Sequence, residues 1–330
     1  MRVSELCLGT MTFGEDWGYG ASHEESEKVF RTFADKGGNF IDTSINYTNG
    51  TSERFLGDFI QGDRDRFVIA TKYSLTTRRT DPNAGGNHRK NLLRSLETSL
   101  KQLKTDYIDL YYLHMWDDVT LVEEVMRSLD DVVTSGKVRY VGISDTPAWI
   151  VARANTLAEV RGWTPFVSLQ LPYSLVDREP ERELLPMARG MGLATCAWGP
   201  LAEGLLTGKY TRNAGKAKGR LHLPDQGFSD RGKMIAEKVD RVAETIGRPA
   251  SQVALNWLRQ QEGIVIPIVG ATKPTQIAEN LDCLDFRLTP DQMKQLDDAS
   301  KISLGFPHDF LNSKHIRSII FGDTFSMLDR

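Results

Sequence analysis

Short runs of β-branched and aromatic residues alternate along this chain with longer stretches whose apolar positions recur at helical spacing. Residues 6–10 form the first short run. A helix is predicted from about Ser22, with Val29, Phe30 and Phe33 on one face and Gly37-Gly38 ending it. Residues 39–42 read as the second strand, after which Ser52 is expected to cap a helix carrying Phe55, Leu56 and Phe59. The third strand, 67–72, precedes a helix over 89–103 with Leu92, Leu96, Leu100 and Leu103 in register. Strand four, 107–114, is followed by a helix from 121 to about 135. Strand five, 138–144, leads to a helix that Pro147 opens at a first-turn position. Strand six covers 166–170, with a helix at 179–189; strand seven covers 193–198, with helices at 229–246 and 251–261. Residues 264–268 are the eighth strand.

Strands that alternate with helices imply parallel strands joined by right-handed crossovers. Eight such units match one closed (β/α)8 TIM barrel, an α/β fold of typically about 250 residues. An open doubly wound sheet that binds a dinucleotide carries a GxGxxG turn after its first strand. The turn here, Gly9-Thr10-Met11-Thr12-Phe13-Gly14, is not that fingerprint. The expectation is a single domain over 1–330, with the barrel at about 6–285 and a C-terminal helix and tail at about 286–330. The stretch 213–220 reads as a loop within the barrel.

The composition changes this picture little but excludes several classes of function. The 330 residues carry 41 basic and 44 acidic side chains, a net charge of −3, and 40% are hydrophobic. That balance excludes a disordered chain and argues against nucleic acid as a partner, because phosphate binding needs a clustered basic excess. No apolar run approaches the ~20 residues of a membrane span, so no membrane partner is expected. The opening residues lack the order of a signal peptide. Cys7, Cys196 and Cys283 are far apart and form no CxxC, which suits reduced thiols in a cytoplasmic protein. No HExxH or close His/Cys cluster points to a metal.

Chemistry in such barrels gathers at the C-terminal ends of the strands. Those ends read Asp42 (with Tyr47 five residues on), Lys72, His114, Ser144-Asp145, Gln170, Trp198 and Gly270-Ala271-Thr272-Lys273. Converging Asp, Tyr, Lys and His suit one task. An ammonium beside a phenol favours the phenolate and is expected to lower the tyrosine pKa from its usual value of about 10. An aspartate keeps the lysine charged and oriented, and a histidine can bond a substrate oxygen. Together they donate a proton to an oxygen gaining negative charge, as carbonyl reduction requires. The hydride must come from a cofactor, since side chains supply none. Trp17, Tyr19 and Trp116 form either an aromatic wall for a substrate beside Tyr47 and His114 or ordinary packing.

Over residues 6–300 the chain resembles the aldo-keto reductase family. The resemblance is carried by residues 9–14, Asp42-Thr43 with Tyr47, Ser52-Glu53 with Leu56-Gly57, and the block 106–114. The run 141–149 is similar to the aryl-alcohol dehydrogenase branch. The resemblance implies a catalytic tetrad of Asp42, Tyr47, Lys72 and His114, and a nicotinamide cofactor over Gly9, Thr10, Met11 and Asp42. Ser144, Asp145 and Gln170 would hold its carboxamide and Trp198 would stack on its ring. Gly199, Pro200, Leu201, Gly204 and Leu206 would line its pyrophosphate, with Lys209 or Arg220 in reach. Gly270, Thr272, Lys273, Gln276, Glu279 and Asn280 would surround its adenosine end. Lys273 supplies a charge for a 2′-phosphate, which favours NADPH over NADH, or else it starts a solvated helix. Gln276 stands where many relatives carry arginine.

Three functions are compatible with these residues. The first is an NADPH-dependent reductase of aldehydes or ketones. The second is an NADPH-sensing barrel similar to ion-channel β subunits. The third is a Schiff-base lyase or aldolase with Lys72 as nucleophile, which needs the amine neutral.

Overall fold

The computed structural model describes residues 1–212 and 228–328. The stretch 213–220, Arg220 included, lies outside the described residues. Eight parallel strands close into a barrel in chain order. They are β1 Cys7–Gly9, β2 Phe40–Asp42, β3 Val68–Tyr73, β4 Ile108–Leu113, β5 Val138–Ser144, β6 Phe166–Pro172, β7 Ala194–Trp198 and β8 Val265–Gly270, and β8 pairs back to β1. The expected TIM barrel is therefore the observed fold. Around it run α1 His23–Asp35, α2 Thr51–Phe59, α3 Arg89–Leu103, α4 Val122–Thr134, α5 Ala148–Arg161 and α6 Leu184–Gly190. They are followed by α7 Lys209–Arg212, α8 Asp230–Ile246, α9 Ala250–Arg259, α10 Pro274–Leu281 and α11 Pro290–Ser300. Two further helices, α12 His308–Leu311 and α13 Lys314–Phe321, bury none of their residues. No described helix is long and apolar enough to cross a membrane.

The twofold period of each strand splits the core into two layers. Outward-facing Ile41, Ile69, Tyr111, Val141 and Leu169 pack with the helices in one large cluster. Inward-facing Cys7, Phe40, Val68, Ala70, Leu110, Tyr112, Cys196, Ile266 and Ile268 plug the barrel. Within this plug the Tyr112 hydroxyl meets Ser168 Oγ at 2.6 Å. A Cβ at Gly142 would lie 2.4 Å from the Tyr112 ring, so β5 gives up a side chain to make room for a ring from β4.

The same parity places the site. Two residues beyond Phe40, Ala70 and Tyr112, the inward positions become Asp42, Lys72 and His114. Asp42 pairs with Ala70, and Lys72 with Tyr112, so the polar set climbs by two residues at each step round the tilted barrel.

Two local expectations are corrected. Ser52 does not cap α2, because Gly50 holds the N-cap position at φ 84°. Ser52 Oγ instead donates toward the Thr10 carbonyl at 2.8 Å and ties α2 to the turn after β1. The helix expected over 179–189 is broken into a short turn at Glu179–Glu181 and α6. Pro186 lacks an N–H, and its ring excludes the carbonyl four residues back, so the helix restarts at Leu184 with the proline in its first turn.

Candidate active site

Lys72 is completely buried, and its ammonium donates to three oxygens: Asp42 Oδ2 at 2.6 Å, the Thr43 carbonyl at 2.8 Å and the Tyr47 hydroxyl at 3.0 Å. Burial alone would drive its pKa down. The Asp42 charge and Tyr47 outweigh burial and hold it above the ordinary lysine value. Lys72 is thus an ammonium, not the neutral amine a Schiff-base nucleophile needs. The Tyr47 pKa departs from expectation, because it is raised rather than lowered. Burial of the phenol is the largest cause, and the nearby Lys72 charge only partly offsets it. The phenol therefore keeps its proton.

His114 is buried at the end of β4, with its ring centroid 6.1 Å from that of Tyr47. Burial, then the Lys72 charge, push its pKa down to about 3, so the imidazole is neutral. Its Nδ1 lies 3.3 Å from Ser44 Oγ. The four expected residues come together. Of the aromatic candidates, Trp17 stands edge-on to Tyr47 with centroids 6.4 Å apart and touches Tyr19 at 6.2 Å. Trp116 packs against the core.

Sequence reasoning missed Ser44 and Asn46, and gave Thr43 and Glu53 no role beyond the motifs they stand in. Glu53 is fully buried behind the site on α2, and burial pushes its carboxyl up to about 7. Thr71 donates to its Oε1 at 2.5 Å, while Oε2 has no hydrogen-bond partner among the described residues. Thr43 and Glu53 stood in the motifs that carry the family resemblance, whereas Ser44 and Asn46 were marked only by lying between Asp42 and Tyr47 in the chain.

The far side of the mouth comes from β5–β8. Gln170 donates to Asp42 Oδ1 at 2.9 Å. Trp198, 42% exposed, is pinned at its edge by an indole N–H to Asp145 Oδ1 at 3.1 Å, which leaves its face open. Ser144 Oγ is buried without a hydrogen-bond partner among the described residues. After β7, Ala202, Glu203 and Gly204 all take left-handed backbone, and the Ala202 and Gly204 amides turn back on the Gly199 and Leu201 carbonyls at 2.9 and 3.0 Å. A Cβ on Gly204 would sit 2.8 Å from Lys209 Nζ, so this lysine closes over the loop. Pro200 and Leu206 are buried, while Gly199 and Leu201 are half-buried.

At β1 and β8 the picture is mixed. Gly9 pairs with both Asp42 and Gly270, and Thr10 is buried with its hydroxyl on the Asp42 carbonyl. Met11 is half-buried. Exposed Lys273 caps α10. Gln276 turns back on its own helix, where its Oε1 accepts from the Thr272 and Lys273 amides at 2.9 and 3.1 Å. Glu279 accepts from Ser251 Oγ at 3.1 Å, and Asn280 is buried.

A family model for the aldo/keto reductases matches residues 5–301. The chain belongs to the aldo/keto reductase family. Among curated relatives of this aldo/keto reductase, norsolorinic acid reductase of Aspergillus flavus is 38% identical over 322 residues, covering 94% of this chain and 81% of the relative. Norsolorinic acid reductase B of Dothistroma septosporum is 36% identical over 328 residues, covering 94% and 82%. Aryl-alcohol dehydrogenase [NADP(+)] of Phanerodontia chrysosporium is 36% identical over 343 residues, covering 98% and 86%. The protein is an oxidoreductase of the carbonyl–alcohol type.

The reductase mouth suits a nicotinamide group on its own chemistry. The orphaned Ser144 hydroxyl needs a polar partner such as a carboxamide. The open Trp198 face can take a flat ring, and the Lys209 ammonium over Gly204 can meet an anion.

Proposed function

We propose that the protein is an NADPH-dependent reductase of aromatic aldehydes or ketones, with Tyr47 as proton donor. One observation carries the reading: the Tyr47 hydroxyl lies 3.0 Å from a buried ammonium that Asp42 keeps charged. The bound cofactor would supply hydride to the carbonyl carbon. Tyr47, protonated at rest because burial raises its pKa, gives its proton to the carbonyl oxygen. Lys72 then stands beside the phenolate that forms and stabilises it, and Asp42 holds Lys72 in place. His114, the ring of Trp17 edge-on to Tyr47, and Tyr19 tilted against Trp17 bound the space for the substrate. Ser144, Asp145 and Gln170 would hold the carboxamide of the cofactor, Trp198 would face its ring, and the loop at 199–209 with Lys209 would take the pyrophosphate. The charge of Lys273 favours a 2′-phosphate.

The test is loss of NADPH absorbance with para-nitrobenzaldehyde, run beside Tyr47→Phe. The variant is expected to lose roughly 10²–10⁴-fold in kcat while binding NADPH normally. Normal turnover by Tyr47→Phe would overturn the mechanism. NADPH binding without turnover on any carbonyl would point instead to a sensing barrel.

A further inference from the structure

Asp145 and Trp198 meet at the mouth of the barrel. The indole N–H donates to Asp145 Oδ1 at 3.1 Å, so the carboxylate lies at the rim of the open indole face. Asp145 takes this place with strained backbone: its φ is 41°, in the left-handed region that side chains rarely adopt. Its own amide anchors it by donating to the Gln170 carbonyl at 3.2 Å, just beyond the last β5–β6 pair, Ser144 with Gln170. The other charges of the mouth are matched or absent. Lys72 pairs with Asp42 at 2.6 Å, and His114 is a neutral ring. Among the described residues, no lysine, arginine or histidine pairs with Asp145. It is half-buried, so salt and water screen it less than a surface charge. Burial raises its pKa, while the Trp198 N–H and the Lys72 charge pull the other way and favour the carboxylate.

We propose that the unmatched carboxylate of Asp145 biases this mouth toward the oxidised form of its nicotinamide cofactor. The inference rests on the NADPH reading of the site. A reduced nicotinamide ring is neutral, and the oxidised ring, one hydride poorer, carries a single positive charge. A ring laid on the open face of Trp198 lies beside Asp145, which attracts the cation and is indifferent to the neutral form. The carboxamide, pyrophosphate and adenosine end are common to both forms. Contacts to those parts, the Lys273 charge included, therefore cancel when the two affinities are compared. What remains is the attraction of Asp145 for the charged ring. By that preference Asp145 eases the departure of hydride toward a carbonyl, and it slows release of the spent cofactor.

The test needs no turnover. Fluorescence titration of the full chain with NADP+ and with NADPH, at about pH 8 and so above the carboxylate range, gives both Kd values. Asp145→Asn keeps the size of the side chain and an oxygen for the Trp198 N–H, and removes the charge. It is expected to raise the ratio of Kd for NADP+ to Kd for NADPH about tenfold, through weaker binding of NADP+. Asp145→Ala also removes the acceptor for Trp198, so it should weaken both forms while showing the same change in ratio. Asp145→Glu keeps the charge and should stay close to the native ratio.

A merely structural role, in holding Trp198 or the carboxamide, would weaken both forms alike and leave the ratio where it was. An unchanged ratio in Asp145→Asn would therefore overturn the inference. So would a change seen in Asp145→Ala and not in Asp145→Asn, which would trace the effect to the posture of Trp198 and not to charge. Either result, with both nucleotides still bound, leaves the proposed role of Tyr47 standing. If the native chain binds neither nucleotide, the NADPH reading falls and this inference falls with it.

Discussion

Gln170 on β6 donates its side-chain amide to Asp42 Oδ1 at 2.9 Å, across the barrel mouth from a residue 128 positions earlier. The other Asp42 oxygen holds Lys72. Both carboxylate oxygens are thus fixed, from opposite sides of the barrel. Gln170→Ala removes a hydrogen bond to a charged, buried group and is expected to cost about 1.5–3 kcal/mol in urea unfolding. Gln170→Glu, which sets one carboxylate against another, should cost more than the alanine. A smaller effect for the glutamate would show that Asp42 does not depend on this contact.

Lys72 and Asp42 should behave as a unit. Lys72→Met strands a buried carboxylate, at an expected cost of about 3–5 kcal/mol. Adding Asp42→Asn removes the stranded charge and should recover part of that loss. A double-mutant cycle by chemical denaturation reads the coupling. Simple additivity would mean the ion pair contributes nothing beyond its separate parts.

Glu53 gives stability a pH dependence of definite sign. Its carboxyl titrates near 4.5 when unperturbed and is raised to about 7 in the fold. The folded state therefore binds this proton more tightly. The stability it contributes is complete below about pH 4.5 and is lost as pH rises to about 7. Glu53→Gln, which is neutral throughout, should lack this decline. Above pH 7 the variant should exceed the native protein by an amount on the order of 3 kcal/mol. Parallel stability curves for the two proteins across that range would refute the assignment.

Cofactor choice is expected to turn on the Lys273 charge. The Thr272 and Lys273 amides are already taken by Gln276 Oε1, so they add little for a phosphate. Lys273→Ala should weaken NADPH binding about tenfold and NADH binding hardly at all, with a gap that narrows in high salt. Fluorescence titration with both cofactors measures it, and equal losses for the two would remove Lys273 from the 2′-phosphate.

Most of the architecture was legible because parallel barrel strands are buried on both faces and stand out as β-branched runs, as at 67–72. The tetrad was legible for a related reason: a charged residue that ends such a run, like Asp42 or Lys72, has few places to go but the mouth. Helix ends were less legible. Ser52 has the chemistry of a cap, but tertiary contacts with Thr10 and Thr43 claim its hydroxyl. The direction of the Tyr47 shift was missed because spacing reveals a neighbouring charge and not the depth of burial. Ser44 was missed because its contact with His114 Nδ1 joins residues 70 positions apart, which no local pattern of polar and apolar residues records.

The missing side chain at Gly142 has a consequence for how this chain can change over generations. The ring of Tyr112 occupies the room that a residue on the next strand would need. Neither position is therefore free to vary alone: enlarging 142 evicts the ring, and trimming 112 leaves a hole beneath the polar mouth. A lineage can cross between the two fillings only by altering both strands close together in time, so the two sites should carry a shared history although 30 positions separate them.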